Sequence, residues 1–137
     1  MRVALQDRCD RIEACYEFML AYAAQGLRDD RASQSGGQLR AFLTGCDDAL
    51  TGLADAFRAL VDAERREPAD RYHAFLAVLE RDARDAQAAV RLVLAQPAIS
   101  SQLIDNLNAS IHLRALLTDL FLVDEILDPP DPGGVAP

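Results

Sequence analysis

A chain of 137 residues has room for one well-buried core, and a formal charge of −8, from 22 acids against 14 bases, repels phosphate backbones, so nucleic acid is excluded as a general partner. Half of the residues are hydrophobic but only 6% are aromatic, leaving alanine, leucine and valine to carry the apolar content, a mixture that suits helices better than sheets. No apolar run approaches the roughly 20 residues needed to span a bilayer, and the start Met1-Arg2-Val3-Ala4-Leu5-Gln6-Asp7-Arg8 lacks a signal core, so a cytoplasmic protein with no membrane role is expected.

Four segments share one period. In the first, about Val3 to Gln25, Leu5, Cys9, Ile12, Tyr16, Met19 and Ala23 step by fours and threes, which predicts a helix. Phe18 and Tyr22 fall beside that stripe and either offer an apolar interface patch or belong to a broad core stripe. Gly26 and the polar stretch 28–37 predict a stop and a loop. The second segment, about Gln38 to Arg66, repeats the spacing through Leu39, Leu43, Cys46, Leu50, Leu53, Phe57 and Leu60.

Pro68 opens the third segment, where its missing N–H costs nothing, and Tyr72, Leu76, Leu79, Ala83, Ala86, Val90 and Val93 form its stripe. The alanines in its middle allow either close helix approach or a small cavity bordered by charge. Gln96-Pro97 punctuates the chain, and Ser100 or Ser101 caps a last helix running to about Leu127. From Leu113 onward that helix is apolar nearly all round, so it either lies at the centre of the fold or turns a second apolar face to another subunit; a homodimer is expected, with Leu116, Leu120 and Val123 at the contact. Residues 128–137, rich in proline, glycine and aspartate, read as a loose tail.

The expected fold is all-α: one domain over 1–127, an up-down-up-down four-helix bundle of long antiparallel helices, each about 25 residues and so roughly 35 to 40 Å long. The candidate ligand site is a polar row on the last helix, Asn106, Ser110, Arg114 and Thr118, recurring every four residues among leucines. Placed in the interior, Arg114 would grip an anionic or amphipathic ligand, or would pair with Asp82, Asp85 or Glu13.

Metal chemistry has little support. Neither His73 nor His112 has a glutamate three residues before it, and Cys9, Cys15 and Cys46 form no CxxC pair, so no metal and no cofactor is expected. His112 sits among the bulky Ile111, Leu113 and Leu116 and reads as a surface histidine. An enzyme would rest only on His112, Asp119 and the acids near Asp82, and none is expected. The reading that follows is a homodimeric accessory or regulatory subunit acting through protein contacts. A sensor or carrier with a ligand against Arg114 is the alternative.

Overall fold

The structure is a computed structural model, and it describes residues 1–31 and 33–129. It is all-helical, with no strand among the described residues, and its order is α1 (Arg2–Ala24), α2 (Gln34–Leu50), α3 (Leu53–Ala63), α4 (Ala69–Leu94), α5 (Ser101–Ala109) and α6 (Ile111–Leu127). The expectation for the tail falls, beyond the exposed Asp128 and Pro129, outside the described residues.

Among the described residues six helices stand where four were expected, because two of the periodic segments are broken by caps that periodicity does not register. The first break follows Leu50. Thr51 is extended, and Gly52 takes the left-handed conformation at φ 75°, which a side chain would strain. The Arg8 guanidinium donates to the carbonyls of Ala49 and Thr51, satisfying acceptors that the interrupted α2 leaves open. The second break is at Ser110, whose extended backbone (ψ 144°) ends α5 while its hydroxyl accepts from Leu113 N at 3.4 Å and starts α6. Serine caps also set two other starts: Ser33 accepts from Gly36 N at 2.9 Å, opening α2 four residues before the expected Gln38, and Ser100 accepts from Leu103 N at 3.0 Å.

Helix α1 packs on α2, α3 and α5, while α4 packs on α2, α3, α5 and α6. All seven apolar positions expected on the second segment are buried, as are six of the seven on α4, Tyr72 being half-buried. On α1 the buried side is turned slightly from the expected stripe. Cys15 and Tyr22 replace Tyr16 and Ala23 beneath the surface, so Tyr22 is a core residue with 0% exposure rather than part of a surface patch. Around Ala83 the thin middle of α4 faces the α2–α3 break across a crevice of about 210 Å³ that Asp55, Glu80 and Arg84 border.

A buried polar knot ties the α1–α2 connection to the α4–α5 connection. Tyr22 Oη donates to the Ile99 carbonyl at 2.6 Å, and Ser101 Oγ donates to the Tyr22 carbonyl while accepting from Leu27 N. Asp30, 4% exposed, accepts from Ile99 N at 2.8 Å and from Arg40 Nε at 2.7 Å; Arg40 also donates to the carbonyls of Leu94 and Gln96. Gly36 lies against the Asp30 carbonyl so closely that a Cβ there would fall on it. At the other end Arg2 and Arg66 both reach Glu64 and the Leu127 carbonyl, closing the C-terminus of α6.

Candidate functional site

Helix α6 has two faces. Leu113, Leu116, Leu117, Leu120, Val123 and Leu127 fill the core, while Ile111 (74% exposed), Phe121 (60%), Leu122 (48%) and Ile126 (46%) stand in solvent. At 100° per residue, Ile111, Ala115, Thr118, Leu122 and Ile126 fall along one outward strip, with Arg114, Glu125 and Phe121 on its flank. Apolar residues scattered singly over a surface need no explanation, but four large ones on one short helix form a patch.

The side chains expected at an interface lie elsewhere. Leu116, Leu120 and Val123 point into the core, because they follow the phase of Leu113 and Leu117 on the inner side of α6. Tyr22 is buried, and Phe18 is half-buried and stacked on Phe42 with ring centroids 4.4 Å apart, joining α1 to α2. The outward apolar face therefore belongs to Ile111, Phe121, Leu122 and Ile126.

The polar row does not hold together as a pocket. Asn106 lies on α5, exposed, its side-chain carbonyl accepting from Gln102; Ser110 is the cap between helices; Arg114 and Thr118 are exposed on α6. The four-residue spacing is an alignment only on a continuous helix, and the break at Ser110 removes it. Thr118 Oγ1 donates to the Arg114 carbonyl at 2.8 Å, so its hydroxyl is already satisfied within α6. Among the described residues Arg114 forms no ion pair, and Asp82, Asp85 and Glu13 do not approach its guanidinium. With Thr118, Ile111, Ala115 and Asp119 it lines a shallow groove of about 470 Å³, open to solvent.

Asp82 faces Asp119 instead. Asp119 is 8% exposed and its Oδ2 has no hydrogen-bond partner. Burial, then a hydrogen bond and like charge from Asp82, push its carboxyl up to about 7. Burial beside Asp82 thus favours the protonated form of Asp119 up to about pH 7. A carboxyl in that range could exchange protons with a bound molecule, but the neighbouring groove offers only one guanidinium and one hydroxyl beside it.

The remaining candidates are settled by neighbours. His73 Nε2 pairs with Asp62 at 2.9 Å, and His112 is exposed. Cys15 and Cys46 are buried free thiols, Cys15 held up by its hydrogen bond with the Cys46 sulfur and by burial, while burial pushes the half-buried Cys9 up to about 12. Among the described residues no three His, Cys, Asp or Glu side chains gather to hold a metal ion, and no helix is long and apolar enough to cross a membrane. An apolar groove of about 200 Å³, floored by Val61, Leu76 and Val123 and rimmed by Tyr72, Phe75 and Ile126, continues the exposed strip of α6 toward the start of α4.

No protein-family model matches the chain, nor does any curated protein or solved structure. The class defined by fold and surface is an all-helical protein with one two-faced helix.

Proposed function

We propose that this chain works through protein contacts, as a homodimer serving as an accessory or regulatory subunit, with α6 as the contact element. The observation that carries the reading is the coexistence on α6 of a core-filling side with an outward side bearing Ile111, Phe121, Leu122 and Ile126. Such a face loses its contact with water only against another surface. At about 1 kcal/mol for each roughly half-exposed side chain, eight such side chains across a symmetric pair supply about 8 kcal/mol, comparable with the cost of association. Apolar burial alone therefore gives a weak dimer, and complementary charge must sharpen it.

The six helices are read as four rods, with α2–α3 and α5–α6 as broken rods beside α1 and α4 in an up-down bundle; the pairings of α1 with α2 and α5, and of α4 with α3 and α6, support this. Three free thiols support a reducing, cytoplasmic setting. The test is Leu122→Glu, which places a charge in the centre of the strip. Sedimentation velocity at about 10 µM should give a dimer for the natural chain and a monomer with unchanged helical circular dichroism for the variant. A variant that sediments like the natural chain overturns the role of α6.

A second reading places an anionic ligand against Arg114, supported by the unpaired guanidinium in the α6 groove. Arg114 is exposed, so that ligand would lie on the surface rather than within the bundle. Arg114→Ala should then abolish binding of a carboxylate or phosphate probe without altering the melting temperature.

A further inference from the structure

We infer that the partner of α6 is the α6 of a second copy, crossing it antiparallel about a two-fold axis near position 119, with Arg114 of each chain against Glu125 of the other. This inference rests on the homodimer reading and specifies its geometry.

A chain of charge −8 repels its own copy, so a self-docking face has to be locally balanced. The outward side of α6 carries one cation, Arg114, and one anion, Glu125, both exposed and both without an ion pair among the described residues. A two-fold interface requires a patch complementary to itself, so each group must find its mate at the mirrored position along the helix. For antiparallel helices the axis also keeps each flank against the same flank of the partner. Arg114 and Glu125 are 11 positions apart, which is close to three full turns, so they share a flank.

The apolar residues obey the same symmetry. Ile111 mirrors Ile126, and Ala115 mirrors Leu122, on the opposite flank from the charged pair. The midpoints of these pairs and of the Arg114–Glu125 pair fall between positions 118 and 120, about one residue or 1.5 Å apart along the axis. One axis therefore serves all three pairs. The residue at the centre, Thr118, has its hydroxyl bonded to the Arg114 carbonyl, so covering it leaves no donor stranded. A parallel arrangement would put Arg114 beside Arg114 and Glu125 beside Glu125, which like-charge repulsion opposes.

The experiment is a charge swap read by sedimentation equilibrium on the full chain at 0.1 M salt. Arg114→Glu and Glu125→Arg, each alone, place like charges together twice per dimer and should raise the dimer dissociation constant at least about tenfold. The double variant, with both changes, should recover the natural value to within about threefold. An equimolar mixture of the two single variants should also recover dimerisation, because in the heterodimer one chain brings two acids and the other two bases, so both pairs are opposite in charge. Helical circular dichroism should be unchanged throughout, since both positions are exposed in the single chain. A dimer that tolerates each single swap overturns this geometry while leaving the homodimer reading in place. A natural chain that is monomeric at about 10 µM overturns both.

Discussion

Replacing Asp30 by alanine probes the buried knot that joins the two ends of the chain's connections. Its Oδ1 is the acceptor for the buried Ile99 N–H, and its Oδ2 receives Arg40 Nε, whose side chain is 36% exposed. Stranding the Ile99 N–H costs about 1–3 kcal/mol. Loss of the Arg40 bond adds about 1 kcal/mol after allowing for solvent screening on the exposed side of that guanidinium. The expected loss is about 2–4 kcal/mol. With an unfolding entropy of about 2.1 cal/mol/K per residue, that lowers the melting temperature by roughly 10 °C. Asp30→Asn, which keeps an acceptor for Ile99, should lose about half as much. Burial pushes the Asp30 carboxyl up, but the bonds from Arg40 and from Ile99 N–H outweigh it, so its folded pKa lies below the usual value. Its charged form thus stabilises the fold above the unfolded pKa of about 3.9, and that contribution fades as pH falls through the lower folded value. Urea denaturation at pH 7 and pH 3 measures both effects. An Asp30→Ala loss below about 0.5 kcal/mol at pH 7 would refute the knot.

Two further changes test other parts of the fold. Gly36→Ala should destabilise by about 3 kcal/mol or more, because the new Cβ meets backbone at Asp30 and cannot be relieved by a rotamer change, whereas Gly37→Ala, which meets nothing within 4 Å, should be tolerated. Equal losses by urea denaturation would contradict the close approach. Asp119→Asn should stabilise the chain at pH 8 by about 1–3 kcal/mol and change little at pH 4. The raised carboxyl favours folding while protonated, below its unfolded pKa, and loses that advantage as pH rises toward about 7. A stability difference that does not grow with pH would show that burial beside Asp82 does not raise the Asp119 carboxyl.

The helical class and most of the core were legible in the sequence because burial repeats with the helical period. Leu39 through Leu60 keep one phase even across the break at Gly52, and for that reason the break was invisible to periodicity. Ser110 was misread for a related reason. A serine four residues after Asn106 and four before Arg114 fits a helical row, yet its physical role is to end one helix and cap the next. On α6 the composition announced two apolar sides, but a helix apolar nearly all round gives no phase by which to choose between them. Leu116, Leu120 and Val123 went inward with Leu113, and Phe121, Leu122 and Ile126 outward. The self-complementary spacing of Arg114 and Glu125 becomes visible only once that phase is known. The Asp30 knot depends on contacts between residues 10 to 69 positions apart, which no local pattern records.

Native mass spectrometry of the natural chain, at about 10 µM in a volatile buffer near neutral pH, tests the central claim most directly. A dominant species at twice the 15.0 kDa chain mass, dissociating to bare chains, is the predicted result. A spectrum containing only the single chain at that concentration would contradict the contact role assigned to α6.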